Sequence, residues 1–253
     1  MKKSKPSILL EVCVESAESA IAAQAGGAGR VELCDNLLEG GTTPSVGTIE
    51  LARTHLTIAM NVIIRPRGGD FNYSDLEFEI MQRDIQIARE RGADGVVIGI
   101  LKPNGTIDKP RTRRLVELAR PMSVTFHKAF DVTRDPFEAL ETLIELGIDR
   151  VLTSGQEASV IEGLDVVKEL VQRAGNRIII MPGGNITARN IQTVLAATGA
   201  REFHVTANAN IESGMQFRNP RVFMGGTFRP PEYSRSVTDS AGVRQLLRAV
   251  RMK

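Results

Sequence analysis

Apolar and polar residues alternate in short segments along most of the chain, and a stretch with helical spacing follows each segment. In the first segment Leu10, Val12 and Val14 share one face, and Glu11 and Cys13 share the other, because side chains two apart on a strand point the same way. The pattern predicts a strand, a helix of about ten residues and a second, parallel strand. We therefore expect a βαβ unit near the start.

The same unit recurs until eight strands and their helices are predicted. Ser74 and Glu77 have the spacing of a capping box, and Asp135-Pro136 begins a helix that Gly147 ends. Eight such units in 253 residues favour an α/β fold, a (β/α)8 TIM-type barrel in a single domain over residues 1–253. An open doubly wound sheet is the alternative. Residues 207–253 are predicted to form a C-terminal extension and a closing helix.

Polar residues recur at the carboxyl ends of the predicted strands, where TIM barrels place their functional groups. The alternation turns Thr125, His127 and His204 toward the barrel interior. The candidate catalytic residues are Glu11, Glu32, His127 and His204. The candidate substrate-binding or anion-binding residues are Arg65, Arg67, Asp70, Thr153, Ser154, Gly183 and Gly184.

A glutamate stands two residues before a cysteine in each of the first two strands, as Glu11 before Cys13 and Glu32 before Cys34. The chain has no other cysteine. Because adjacent strands lie about 4.8 Å apart, we expect the carboxylates and thiols to meet. Soft thiolates favour Cu(I), and the lack of a third cysteine argues against an iron–sulfur cluster, and against a closed zinc site unless histidines join. The alternative is that both cysteines are ordinary buried apolar residues.

The glutamates and the other candidates are also open to two interpretations. A carboxylate inside a barrel is costly unless it is paired or coordinated, so the glutamates either form ion pairs with Arg65 or Arg67 or serve in acid–base chemistry or metal ligation. His127 and His204 are either buried structural residues or residues that carry protons or bind a metal. The Gly183-Gly184 turn before a helix favours a bound anion, or is simply a tight turn.

The composition of the chain restricts the classes of partner that the protein is expected to bind. The net charge of +2 is too small to indicate a nucleic-acid or membrane surface. No apolar run approaches the roughly 18 residues of a membrane span, and the basic start, residues 1–7, is followed by too short an apolar segment for a signal peptide. We therefore expect a cytoplasmic protein with reduced cysteines, a small-molecule or ion partner, and no nucleotide or organic cofactor.

Six strings carry a family resemblance: EVCVES, RVELCDNLLEGGTTPS, IIRPRGGDFNYSD, VTFHKAFD, RVLTSG and MPGG. Together they resemble the copper homeostasis protein CutC family over almost the whole chain. The resemblance implies a cytoplasmic, TIM-barrel-like homo-oligomer that handles copper, with Cys13 and Cys34 matching two cysteines implicated in Cu(I) binding. Lys128, Asn185 and Thr206, all near the predicted barrel mouth, depart from residues common in the family.

Two functions therefore stand open. The first is a cytosolic copper homeostasis protein that binds Cu(I) through the thiolates of Cys13 and Cys34. The second is a TIM-barrel enzyme that acts on a small anionic, for example phosphorylated, substrate by glutamate and histidine acid–base chemistry. A carrier needs only the thiols, whereas an enzyme needs the acid–base cluster and an anion pocket.

Overall fold

A computed structural model of the chain shows eight parallel strands in a nearly closed barrel, and it describes residues 8–225 and 231–251. The strands are β1 Leu9–Val14, β2 Arg30–Leu33, β3 Ala59–Ile63, β4 Gly95–Ile98, β5 Ser123–Phe126, β6 Arg150–Thr153, β7 Ile179–Pro182 and β8 Glu202–Val205. Hydrogen-bonded neighbours follow the order β7-β6-β5-β4-β3-β2-β1-β8, and β7 and β8 lie side by side where the ring closes. The predicted TIM barrel is confirmed. The basic start at residues 1–7, and residues 226–230 and 252–253 of the predicted extension, lie outside the described residues.

Helices follow the first seven strands and cover the barrel. They are α1 Ala17–Gly26, α2 Val46–His55, α3 Asp75–Glu90, α4 Lys109–Ala119, α5 Pro136–Glu145, α6 Leu164–Ala174 and α7 Ile191–Thr198, with short 3-10 turns at Leu37–Glu39 and Lys128–Val132. The predicted capping box is present, since Ser74 accepts from the Glu77 N–H and Glu77 accepts from the Ser74 N–H. No helix in the described part of the chain is long and apolar enough to cross a membrane.

The two faces of the strands lie in different surroundings. Toward the helices the strands present aliphatic side chains of one continuous core, among them Leu10, Val12, Val14, Val31 and Leu33. Toward the barrel axis they present buried polar side chains, among them Glu11, Arg30, Glu32, Asn61, Thr125 and Arg150. Charges inside a barrel are costly without partners. The polar interior is therefore where a function would justify the cost.

The segment after β8 forms a two-stranded antiparallel sheet, β9 Asn208–Glu212 with β10 Ser234–Thr238, followed by α8 Ser240–Arg251. Helix α8 packs against α1. Gly26 permits this contact, because a Cβ at that position would lie 2.5 Å from the Cβ of Val243. The extension therefore covers the outside of the barrel and leaves the polar interior to the eight parallel strands.

Candidate functional site

Two thiols touch at the carboxyl ends of β1 and β2. Cys13 lies in β1 and Cys34 follows the last residue of β2, and their Sγ atoms are 3.7 Å apart. The strand register pairs Cys13 with Glu32, so Cys34 lies two residues beyond that partner. Cys13 is 7% exposed and Cys34 is 1% exposed. Cys13 is therefore the thiol that solvent reaches more readily.

His204 lies between two glutamates beside the thiols. Its Nδ1 donates to Glu11 Oε1 at 2.9 Å, and its Nε2 is 3.7 Å from Glu32 Oε2. The β1–β8 register makes His204 the partner of Glu11, which explains the contact. Glu11 Oε2 also accepts from Arg30 Nε at 2.5 Å and from Asn61 Nδ2 at 3.3 Å. The carboxylate that holds the imidazole is thus itself held in place.

The charged network continues toward the other end of the barrel. Arg30 Nη2 donates to Glu202 Oε2 at 2.5 Å, and Arg150 Nε donates to the same oxygen at 2.6 Å. Arg150 Nη1 also donates to Thr125 Oγ1 at 3.2 Å. Two arginines and two glutamates therefore compensate one another inside the barrel. The partner of Glu11 is Arg30, so the predicted pairing of this glutamate with Arg65 or Arg67 is wrong.

Surroundings drive the pKa values of the two site carboxyls apart. Burial alone would raise the pKa of Glu11, but the hydrogen bond from His204 and the charge of Arg30 lower it to about 2. Burial and the negative charge of Cys13 raise the pKa of Glu32 well above its ordinary value. At neutral pH Glu11 is therefore a carboxylate, whereas the surroundings of Glu32 favour its neutral form.

The pKa values of the two thiols are also shifted in opposite directions. The hydrogen bond from Cys34 lowers the pKa of Cys13 to about 5 against the effect of burial, and His204 acts in the same direction. The same hydrogen bond, with burial, raises the pKa of Cys34 well above its ordinary value. Burial disfavours the charged imidazole, but hydrogen bonds to Cys13 and Glu11 raise the pKa of His204 well above its ordinary value. The surroundings thus favour a thiolate at Cys13 beside a charged imidazole at His204.

Three of the side chains can present ligand atoms to one ion: Cys13, Glu32 and Cys34 have such atoms within 4.8 Å of one another. The structure therefore brings together Glu11, Glu32, Cys13, Cys34 and His204, as the alternation along the strands predicted.

His127 also faces the barrel interior but lies in a separate group. Its Nδ1 accepts from the Ala129 N–H at 3.0 Å, and its ring packs on Phe71 with 4.9 Å between centroids. Its Nε2 has no hydrogen-bond partner within the described residues. Burial and the charge of Arg65 lower the pKa of His127 to about 3. His127 is therefore neutral at physiological pH, with its proton on Nε2.

Arg65 holds the loops that follow β2 and β3. Its Nη1 donates to the carbonyl oxygens of Glu39 and Gly41, both at 2.7 Å, and its Nη2 donates to Gly69 O at 2.8 Å. Its guanidinium lies 5.2 Å from the centre of the Phe71 ring. Most of its donors are therefore directed at backbone carbonyls.

Arg67 and Asp70 lie farther out, in the loop before α3. Arg67 Nε donates to Glu77 Oε1 at 2.6 Å, its Nη2 lies 3.2 Å from Asp70 Oδ1, and its guanidinium lies 5.0 Å from the centre of the Tyr73 ring. Asp70 is exposed. The structure therefore places both residues outside the thiol cluster.

Thr153, the last residue of β6, and Ser154, which follows it, contact the carboxylate of Asp131 in the turn after β5. Thr153 Oγ1 donates to Asp131 Oδ1 at 2.5 Å, and the Ser154 N–H donates to the same carboxylate. Lys128 Nζ lies 2.8 Å from Asp131 Oδ2 and 2.5 Å from Ser154 Oγ. These contacts tie the loop after β6 to the turn after β5.

Gly183 and Gly184 follow β7, and each position requires glycine for a different structural reason. A Cβ at Gly183 would lie 2.5 Å from Leu152 Cδ1 and 3.1 Å from His204 Cβ, so its absence makes room for the imidazole of the site. Gly184 has φ +102, a backbone conformation that side chains rarely adopt. Its carbonyl accepts from the Val160 N–H. The turn thus supports the site by packing, and its anion-binding role stays a prediction.

Sequence reasoning missed four polar residues of the interior, namely Arg30, Asn61, Arg150 and Glu202. A signal for two of them was present: Arg30 precedes Glu32 by two residues, and Glu202 precedes His204 by two, so each shares a strand face with a residue already singled out. Asn61 and Arg150 carried no such signal.

Comparison with known proteins gives the family. The CutC family profile matches residues 8–209. The copper homeostasis protein cutC homolog of Mus musculus is 53% identical over 238 residues, which are 94% of this chain and 88% of the relative. A crystal structure of a CutC protein from Streptococcus agalactiae has a TM-score of 0.75 and 41% identity, covering 78% of this chain and 97% of that one.

A more distant structure shows the fold alone. N-(5'-phosphoribosyl)anthranilate isomerase from Pyrococcus furiosus has a TM-score of 0.57 at 14% identity, over 96% of this chain and 98% of that one. The family match and the close relatives carry the assignment: this chain belongs to the CutC copper homeostasis family.

Proposed function

We propose that this protein binds Cu(I) through the thiolates of Cys13 and Cys34. The carrying observation is that the only two cysteines of the chain, 21 residues apart in sequence, have their sulfurs 3.7 Å apart inside a barrel. Thiolates are the soft ligands that select Cu(I). One of the two thiols is activated, since the pKa of Cys13 is lowered to about 5.

Access and environment also support this function. Cys13 and His204 are slightly exposed, so an ion can reach the pair from the barrel mouth. Thiolate ligation requires reduced cysteines, which a cytoplasmic location maintains. We therefore propose a cytoplasmic protein. Homo-oligomer formation, which the family resemblance implied, is a further prediction that light scattering on the purified protein checks.

The test is anaerobic competition of the reduced protein against a Cu(I) chelator. We expect about one Cu(I) per chain. Cys13→Ser and Cys34→Ser should each weaken binding by more than the roughly 10- to 100-fold that loss of an outer-shell partner costs. The matched control is Met224→Leu, which removes an exposed sulfur and should leave the affinity unchanged. Full affinity in the double serine variant contradicts the proposal.

The buried acid–base cluster supports a second candidate, an enzyme for a small anionic substrate. The Glu11–His204 hydrogen bond of 2.9 Å has the components of proton transfer, and Glu32, whose pKa is raised by burial, lies beside it. If this candidate holds, phosphate or sulfate should raise the Tm of the wild type, and Arg65→Ala should abolish that rise. Because Arg65 also holds two loops, the readout is the difference in Tm with and without the anion within each variant. No rise in the wild type contradicts this candidate.

A further inference from the structure

Glu32 of β2 and His204 of β8 lie close to the thiol pair formed by Cys13 of β1 and Cys34, which follows β2. The ligand atoms of Cys13, Cys34 and Glu32 lie within 4.8 Å of one another, and His204 Nε2 is 3.7 Å from Glu32 Oε2. We infer that these four residues form a tetrahedral site for a divalent cation of the Zn2+ type. The inference rests on the proposed function only in using the same two thiols, and it adds a second class of metal and two further ligands.

The spacing of the sulfurs favours tetrahedral coordination. Two thiolates bound to one ion at the Zn–S distance of about 2.3 Å, with a tetrahedral angle between them, have sulfurs about 3.8 Å apart. The observed separation is 3.7 Å. A linear two-coordinate ion holds its sulfurs two full bond lengths apart, so Cu(I) in that geometry requires the Cys13 and Cys34 side chains to rotate away from each other. The pair as folded therefore suits a four-coordinate ion.

The imidazole is oriented as a ligand by a carboxylate behind it. Metal-binding histidines almost always donate their second N–H to a carboxylate, a carbonyl or a water, which fixes the ring and the tautomer. His204 does so through Nδ1 to Glu11, leaving Nε2 3.7 Å from Glu32 Oε2, and the imidazole also interacts with Cys13. Glu11 is held in turn by Arg30 and Asn61. The outer shell of a metal site is thus already assembled.

The chemistry of the donors agrees with this assignment. Zn2+ accepts thiolate sulfur, imidazole nitrogen and carboxylate oxygen together in four-coordinate sites. A metal ion binds the deprotonated forms of these groups, so binding releases their protons to solvent. Cu(I) needs only the two soft sulfurs. Glu32 and His204 are therefore the residues whose removal separates the two metals.

The experiment uses Co2+ as a spectroscopic stand-in for Zn2+ on the full-length reduced protein under anaerobic conditions. We expect one Co2+ per chain, with the intense visible bands of tetrahedral coordination and a sulfur-to-metal charge-transfer band, both removed by Zn2+. Glu32→Gln and His204→Gln should each lower the Co2+ affinity at least about tenfold. Their Cu(I) affinity in chelator competition should fall much less than their Co2+ affinity, because both thiols remain and His204 acts on Cu(I) binding only through the pKa of Cys13. The matched control is Glu138→Gln on the outer helix α5, which should change neither.

The outcomes separate this inference from the proposed function. Circular dichroism first establishes that each variant is folded. If the wild-type protein binds Cu(I) but shows only the weak bands of octahedral Co2+, the tetrahedral site is contradicted and the copper function is not. Unchanged Co2+ affinity in both variants contradicts the tetrahedral site equally. Tetrahedral Co2+ without Cu(I) binding supports the site and removes the copper function instead.

Discussion

Glu11→Gln tests whether the buried charge network stabilises the fold. Glu11 is fully buried and its pKa is lowered from 4.5 to about 2, with His204 and Arg30 as the groups that outweigh burial. Each pKa unit corresponds to about 1.4 kcal/mol, so ionised Glu11 stabilises the folded protein by about 3 kcal/mol at neutral pH. Loss of one partner of a buried ion pair usually costs roughly 3–5 kcal/mol, a range that includes this value. We expect Glu11→Gln to lower the free energy of unfolding by about 3 kcal/mol.

The assay is urea denaturation of the wild type and the variant at a series of pH values. Because the folded pKa is depressed, this stabilisation is complete above pH 4.5, the ordinary pKa, and is lost as the pH falls toward 2. The difference in free energy of unfolding between the wild type and Glu11→Gln should therefore be constant from pH 7 to about pH 5 and decrease below that.

A surface pair provides the control for this measurement. Glu138 pairs with Arg134 on the outside of the barrel, with both side chains about half exposed, so Glu138→Gln should cost less than about 1 kcal/mol. If Glu11→Gln costs no more than Glu138→Gln, or if its difference from the wild type does not depend on pH, the reasoning about the buried network is wrong.

Four further predictions follow from the site. Glu32→Gln should be neutral or slightly stabilising at pH 7 in the same assay, because burial and the charge of Cys13 disfavour the ionised form of Glu32; a loss above about 1 kcal/mol contradicts this. Iodoacetamide should label Cys13 faster than Cys34, as peptide mass spectrometry measures, since Cys13 is more exposed and has the lower pKa; equal rates contradict it. Gly99→Ala should lower the free energy of unfolding by about 1–3 kcal/mol, because its Cβ would lie 2.2 Å from His127 Cε1; an unchanged urea midpoint contradicts it. The NMR signals of His127 should not titrate between pH 8 and pH 5, whereas a midpoint near 6.5 refutes its neutral state.

Local periodicity accounts for what the sequence revealed of the fold and the site. Strand alternation is a property of neighbouring residues, so the inward positions of Glu11, Cys13 and His204 could be predicted from the chain itself. The β9–β10 sheet could not, because both strands are largely exposed and burial imposes no alternation on them. Its pairing joins Asn208 to Thr238, which only the tertiary structure brings together.

Contacts between residues that are far apart in the sequence could not be predicted from the chain. Arg30 and Arg150 both reach Glu202, at sequence separations of 172 and 52 residues, and no local pattern encodes such a choice. For Arg65 the sequence predicted a guanidinium directed at an anion. That role stays a prediction. The carbonyl groups that the loops after β2 and β3 turn toward Arg65 could not be predicted, because strand periodicity does not determine the course of a loop.

The diagonal placement of the two thiols protects them from locking into a disulfide. Strands lie about 4.8 Å apart and rise about 3.3 Å per residue, so an offset of two residues separates the Cα atoms of Cys13 and Cys34 by about 8 Å. A disulfide spans roughly 4.4–6.8 Å between Cα atoms. The sulfurs touch, but the hydrogen bond from the Cys34 N–H to Val14 O keeps the strands in this register. A disulfide would therefore require the backbone at the end of the β1–β2 ladder to move, and this requirement keeps the sulfurs available to a metal.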